Sequence, residues 1–337
     1  MTHSPALPKI AVIGTGGTIS SVGKDPFDIL DYGANGVILQ VDELLARFPE
    51  LDGLAEIIPV RFQAIISTDI TYPIWRELVL LLDKVLADNS GLAGIVITHG
   101  TASLEETAYF LSLTAKVDVP IVLVGAQRPP SALSSDAGMN LANAIRTASS
   151  PLARGMGVLT LLNDEIHAAR DVAKTSTFRL QTFRTPDFGV LGHADGDQVV
   201  FYRKPVRRVG PDTEFDIRAL EVLPRVDIVF ADVGADGTAS RAFIAAGAQG
   251  IVSAGFAPGS PGAAETAVLA DAVKTHGLIV MQSSRAGSGR VFRGQKMHTN
   301  GFLAADNLTP QKARILLALA LTVTRDPAEI ERISLTY

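Results

Sequence analysis

Cysteine is absent from the sequence, and charge of either sign is scarce. Without cysteine the protein can form neither disulfides nor thiolate metal sites, which fits a reducing compartment. Charged residues make up 19% of the 337 positions, and the formal net charge is −5. Because no basic stripe offsets this acidic balance, neither a nucleic acid nor an anionic membrane is expected as a partner.

Long apolar runs are missing as well. The longest near the C-terminus, ILLALALTV at 315–323, is about half of the roughly 20 residues that a membrane-spanning helix needs. The start, MTHSPALPKIAVIG, has no charged region followed by a long apolar stretch, so no signal peptide is expected. Together these absences favour a cytoplasmic enzyme.

The sequence does contain a series of short apolar runs that alternate with helical patterns. Hydrophobic residues make up 47% of the chain, and 30 glycines and 18 prolines indicate a globular protein with many tight turns. The alternation predicts an α/β fold with a mainly parallel sheet and helices on both faces. In the first part of the chain we predict buried strands at 9–14, 94–98, 120–126 and 157–163, and helices at 75–87, 103–116 and 137–149.

A change of composition at 203–224 indicates a boundary between two domains. This segment is charged, contains three prolines and lacks a sustained period, as interdomain linkers do. We therefore predict a larger catalytic domain at 1–202, a linker at 203–224, and a smaller, flavodoxin-like α/β domain at 225–337. In the smaller domain we expect strands at 226–233, 250–255 and 277–284, and helices at 238–246, 262–276 and 310–324.

The motif GTGGTIS at 14–20 follows a predicted buried strand, and its glycines permit a tight turn. A dinucleotide fingerprint would need glycine at Ile19, and a phosphate loop would need Ser or Thr at Asp25, so both motifs fail. The turn presents Thr15 and Thr18 at the carboxyl end of a strand, where open α/β sheets build ligand sites. A functional threonine and a purely structural turn both fit this pattern.

A second turn, THGTASLEE at 98–106, also ends a predicted strand. Ser103 and Glu106 match a capping box, and Glu105 adds negative charge to the first turn, so helix-start chemistry accounts for all three. It does not account for the threonines of T-H-G-T. We expect His99 to be structural, because the six histidines show no metal-ligand spacing.

Charged residues are concentrated in LNDEIHAARDVAKTST at 162–177. A solvated charged hairpin is the default interpretation of such a run. The alternative is that Lys174 is a buried general base.

These segments, with VGAQRP at 124–129, resemble motifs of the bacterial L-asparaginase/glutaminase family. LTPQKARILLALALT at 308–322 is similar to the closing helix of that family, so the resemblance covers essentially the whole chain. It implies that Thr18 is the nucleophile and that Tyr32 assists it. It also implies a second catalytic cluster, formed by Thr101 and Lys174.

The resemblance further implies that Gly100 and Ala126 approach the substrate amide and that Ser67 binds a substrate carboxylate. The family works without metal or cofactor, usually as a homotetramer whose active sites are completed across an intimate dimer. A hydroxyl is a poor nucleophile at its ordinary pKa, so Thr18 needs proton-transfer partners. Two half-reactions would follow: formation of an acyl-enzyme with loss of ammonia, and attack by water.

Several positions depart from the family pattern. The family's T-H-G-T-D ends in Ala102 here, and its Gly-Ser-Gln-Asp reads Ile66, Ser67, Thr68 and Asp69. The Asn and Glu that reach the pocket from the neighbouring subunit correspond to Ser260 and, across a gapped alignment, to Gly294. All four missing side chains hold the substrate's α-ammonium in the family.

Because a buried ammonium without acceptors costs several kcal/mol, we predict a substrate that lacks it: a carboxamide or a cyclic amide. Two alternatives stay open. One is an ordinary L-asparaginase/glutaminase with a rebuilt or mutated pocket, and the other is a non-catalytic binding protein on the same fold. An engineered change at Ala102 would leave Thr68 and Ser260 unexplained.

Overall fold

The computed structural model describes residues 6–337, which form two compact units. The first ends at Thr213 and the second begins at Glu214, so the boundary lies inside the charged segment 203–224. None of the helices in the described part of the chain is both long enough and apolar enough to cross a membrane.

The described part of the first unit, residues 6–213, contains ten strands and four α-helices. The strands are β1 Lys9–Gly16, β2 Glu56–Ile65, β3 Leu92–Thr98, β4 Ile121–Val124, β5 Val158–Leu162, β6 Glu165–Ala168, β7 Ala173–Lys174, β8 Phe183–Arg184, β9 Gly192–Ala194 and β10 Val199–Phe201. The helices are α1 Val41–Leu45, α2 Tyr72–Asp88, α3 Leu104–Thr114 and α4 Ala137–Ser149.

Eight of these strands form one sheet in the order β10-β9-β6-β5-β4-β3-β1-β2. Strands β2, β1, β3, β4 and β5 run parallel, and β6, β9 and β10 extend the sheet antiparallel. Val12, Val96 and Leu141 belong to the core between the sheet and α4. The alternate strand residues Ile13 and Ile97 are also fully buried, as a sheet covered by helices on both faces requires.

Strands β5 and β6 form a hairpin that turns at Asn163 and Asp164, both with positive φ. The expectation of a solvated charged hairpin holds only for these two exposed turn residues and is wrong for the residues that follow them. His167 is fully buried and Arg170 is 7% exposed, because β6 lies inside the sheet between β5 and β9. The strand therefore leads into β7 from the interior of the protein.

The second unit is a smaller α/β domain, as predicted. Its elements are β11 Val226–Phe230, α5 Thr238–Ala245, β12 Gly250–Gly255, α6 Ala263–His276, β13 Ile279–Ser284, α7 Gln295–Asn300, β14 Leu303–Ala304, α8 Pro310–Val323 and α9 Pro327–Thr336. The four strands are parallel and lie in sequence order. Ile251 packs with Leu269 of α6, whereas the other face of β12, at Gly250, meets Leu317 of α8.

Candidate active site

Three turns at the carboxyl ends of β1, β2 and β3 meet in close contact. Gly17 has φ of 83°, and a Cβ there would lie 2.1 Å from the Cα of Gly100. A Cβ on Gly100 would in turn lie 2.5 Å from the Oγ of Ser67. Glycine at these two positions therefore allows the three turns to converge where an open α/β sheet places its ligands.

Thr18 follows the first turn, and its hydroxyl faces the hydroxyl of Tyr32. The two oxygens are 2.7 Å apart, and either can donate the hydrogen bond. Both side chains are half-buried, so the pair is reachable from solvent. Thr15 differs, because its buried hydroxyl donates to the carbonyl of Thr98 at 2.8 Å and thereby joins β1 to β3.

A second hydrogen-bonded pair, of one hydroxyl and one ammonium group, lies in the turn after β3. The ammonium of Lys174, on β7, donates to the Thr101 Oγ at 2.7 Å. Burial lowers the pKa of Lys174, and the negative charge of Glu105 opposes that shift. The lysine is thus brought nearer to the range in which it can exchange a proton at neutral pH.

The start of α3 does not use the predicted capping box. Ser103 is the N-cap residue, but its hydroxyl donates to the backbone carbonyl of Ser67 at 2.6 Å and caps nothing. Glu105 is 7% exposed, and its carboxylate accepts the backbone N–H of Lys174 at 2.6 Å. Capping therefore does not account for Ser103, and the helix dipole alone does not account for Glu105, because both side chains connect α3 to distant parts of the site.

The Thr18–Tyr32 pair and the Thr101–Lys174 pair both border one pocket of about 550 Å³. The polar side chains among its described lining residues are those of Thr18, Ser21, Tyr32, Ser67, Thr101 and Lys174. The apolar side chains among them are those of Leu30, Val37, Ile38, Ile66 and Ala102. Lys174 is the one lysine, arginine or carboxylate side chain among the lining residues, so the pocket contains a positive charge and no carboxylate of its own.

The other predicted substrate-binding residues are not among the described residues that line this pocket. Thr68 is exposed, and its hydroxyl donates to the Asp69 carboxylate at 3.4 Å; Ala126, two residues after β4, is fully buried. Ser260 is exposed on the second unit, and Gly294 there precedes α7. Of the predicted substrate-binding residues, Ser67, Gly100 and Ala102 line the pocket.

Asp136 is a positioning residue that the sequence analysis missed. Its carboxylate oxygens accept the backbone N–H groups of Gln127 and Arg128, each at 2.9 Å. This fixes the turn after β4, where Ala126 lies. A lone Asp before a helix carries no sequence signal that distinguishes this role from ordinary capping.

His99 is fully buried beside the two pairs but does not line the pocket. Its Nδ1 is 2.8 Å from the Gly100 carbonyl, and burial lowers its pKa to about 4. A neutral imidazole that donates to this carbonyl fits the structural role expected for it. Within residues 6–337, no three His, Cys, Asp or Glu side chains are grouped as a metal ion would require.

Comparison with known proteins identifies the family. A family model described as "Asparaginase, N-terminal" matches residues 9–207, and one described as "Glutaminase/Asparaginase C-terminal domain" matches residues 225–333. The chain is 40% identical to the "Probable L-asparaginase periplasmic" of Haemophilus influenzae, over 98% of this chain and 94% of that protein. It is 37% identical to the "Glutaminase-asparaginase" of Pseudomonas fluorescens, over 98% and 91%.

A solved structure agrees with these matches. The probable cytoplasmic L-asparaginase from Campylobacter jejuni superimposes with a TM-score of 0.92 at 39% identity, over 98% of this chain and all of that one. Family models, relatives and fold thus concur along nearly the full length. The chain belongs to the asparaginase/glutaminase family of amidohydrolases.

Proposed function

We propose that this amidohydrolase cleaves a carboxamide through an acyl-enzyme on Thr18 and releases ammonia. The observation that carries the proposal is the pairing of two hydroxyls with separate proton partners around one pocket: Thr18 with Tyr32, and Thr101 with Lys174. A hydroxyl needs such a partner to react as a nucleophile. The paired hydroxyls also lie within reach of one small substrate.

The hydrolysis proceeds in two half-reactions, acylation of Thr18 and hydrolysis of the resulting ester. The Thr18 oxygen attacks the amide carbon, the hydroxyl proton is passed through the neighbouring groups to the amide nitrogen, and ammonia leaves. Water then attacks the ester, returns a proton to Thr18 and releases the carboxylic acid. Tyr32 is placed to move the proton of Thr18, and Lys174 to exchange one through Thr101.

The lining of the pocket supports a substrate without an α-ammonium group. No carboxylate is among the described residues that line it, so a bound α-ammonium would lose its hydration without gaining a counter-charge. Ile66, 53% exposed, adds apolar surface beside Ala102. Ser67 remains to bind a substrate carboxylate. A des-amino amide such as succinamate, or an amide with an apolar group at that carbon, fits this lining.

A substrate panel tests this specificity. We expect kcat/KM for succinamate to exceed that for L-asparagine and L-glutamine, because one missing charged contact typically costs a few kcal/mol, or about a hundredfold. The matched control is Ala102→Asp, which should move the preference back toward L-asparagine. If L-asparagine is the better substrate of the unchanged protein by tenfold or more, the shifted specificity is wrong.

The same panel separates two other candidates. An ordinary L-asparaginase/glutaminase is favoured by the names of the relatives, and it would hydrolyse L-asparagine or L-glutamine best. A binding protein on the same fold would release no ammonia from any amide while still binding one.

Ala102→Asp should also change the pH dependence. A carboxylate next to Thr101 would favour the protonated form of Lys174 and raise its pKa. Since the neutral amine is the base, the ascending limb of the kcat/KM profile for succinamate should move to higher pH. Ala102→Asn has nearly the same shape without the charge and should leave the limb unmoved. Superimposable Asp and Asn profiles would show that Lys174 is not the titrating group.

We also propose a cytoplasmic homotetramer built from intimate dimers, in which residues 225–337 complete the neighbouring subunit's site. The relatives' names include both a periplasmic and a cytoplasmic form, so they favour neither location. A sedimentation mass of a single chain would contradict the assembly.

A further inference from the structure

Lys174 is attached to the start of α3 at two points. Its ammonium donates to Thr101, in the turn before the helix, and its backbone N–H donates to Glu105, in the first helical turn. These bonds span 73 and 69 residues of sequence. Because β7 has only two residues and pairs with β8, its own strand contacts give little restraint. The two bonds fix both ends of the lysine relative to the hydroxyl it serves.

The burial of Glu105 shows that this contact is part of the interior. A carboxylate that is 7% exposed needs hydrogen-bond donors or positive charge around it. The Lys174 N–H supplies a donor, and the positive end of the helix dipole at the start of α3 favours a negative charge there.

The elements around Lys174 carry few other charges. Arg170 and Asp171, which precede β7, pair with each other at 3.0 Å, and Arg184 on β8 is exposed. Tyr32 faces the same pocket. Glu105 is therefore the buried negative charge beside the lysine, and its field counteracts the effect of burial on the pKa of Lys174.

We propose that Glu105 is the positioning residue of Lys174, holding its backbone in place and supplying the counter-charge that the pocket lining lacks. This inference rests on the proposed function only in assigning Lys174 a catalytic task. The geometry itself does not depend on that task. Glu105 reaches no lining position, so it acts through the lysine and not on the substrate.

Glu105→Gln and Glu105→Ala separate the two contributions. Glutamine keeps an acceptor for the Lys174 N–H but removes the charge, so the ascending limb of the kcat/KM profile should move to lower pH. The maximum value of kcat/KM should stay within about threefold of that of the unchanged protein. Alanine removes both, and kcat should fall about tenfold or more with little change in KM, because the lysine is no longer held. The matched control is Glu106→Gln, which removes a carboxylate one residue along the same helix and should leave profile and kcat unchanged.

A measurement without turnover distinguishes this inference from the proposed function. In protein labelled with ¹³C,¹⁵N-lysine, the Lys174 signal is assigned by its absence from the Lys174→Met spectrum and titrated by NMR. Glu105→Gln should lower the pKa of Lys174, and Glu106→Gln should not. If Glu105→Gln leaves the titration unchanged, the inference is overturned even if amides are hydrolysed. If the titration moves but no amide is cleaved, the proposed function fails and the inference stands. Should Glu105→Ala not fold, the glutamine variant decides alone.

Discussion

Replacing Thr18 with valine should lower the turnover of amides by about three orders of magnitude or more, and the protein should still fold. Valine keeps the shape of threonine and removes the one hydroxyl that is hydrogen-bonded to Tyr32 at the pocket. Because that side chain is half-buried, little stability depends on it. Steady-state ammonia release, with circular dichroism as the test of folding, measures both quantities.

The matched control is Thr15→Val, three residues earlier and on strand β1. The Thr15 hydroxyl is buried and donates to the Thr98 carbonyl, so its loss should cost about 1 kcal/mol of unfolding free energy and leave turnover nearly intact. If folded Thr18→Val is nearly as active as the unchanged protein, Thr18 is not the nucleophile. Thr15 would then be the next candidate.

Replacing Lys174 with methionine should lower kcat by about a hundredfold to ten-thousandfold, the usual contribution of a general acid or base. Methionine has a similar length and suits a partly buried position, so the fold should be retained. KM should change little if the lysine acts in the chemical steps and not in ground-state binding. The pH dependence assigned to Lys174 should disappear at the same time.

Arg184→Gln is the control for this change, because it removes a positive charge from the neighbouring strand β8 at an exposed position. Its turnover should stay within about twofold of the unchanged protein, as for most exposed charges. Equal losses in both variants would mean that turnover responds to local charge in general, and would contradict a specific role for Lys174.

Elements buried on both sides were the predictable part of the fold. The strands β1, β3, β4 and β5 are continuous apolar runs, and the structure places them within one to two residues of the predicted bounds. Strand β2 was missed because it is an edge strand, half-buried and interrupted by Pro59 and Arg61. Strands β9 and β10 are only three residues each, too short for a period to appear.

The site was predictable in part for a similar reason. Thr18 and Thr101 follow apolar strands that pair side by side, and the carboxyl ends of parallel neighbours meet at one edge. Tyr32 was identified only through the family resemblance, and Lys174 was only one of two alternatives for its segment without it, since nothing in their local sequence specifies what they face. Glu105 was misinterpreted because its position in a first helical turn matches ordinary helix-start chemistry. Only the fold reveals that its partner is 69 residues away.

The contact between Gly17 and Gly100 does not tolerate a larger side chain at either position, whereas other positions at the pocket can change. With backbone touching backbone, even a methyl group at either glycine would displace the hydroxyls of the adjoining turns. Ile66 and Ala102 border the same pocket, but their side chains are exposed, so their replacement need not move a turn. A library that keeps both glycines and randomises positions 66 and 102 would therefore explore new amides on an unaltered reaction centre, and selectivity in this lineage could drift without loss of catalysis.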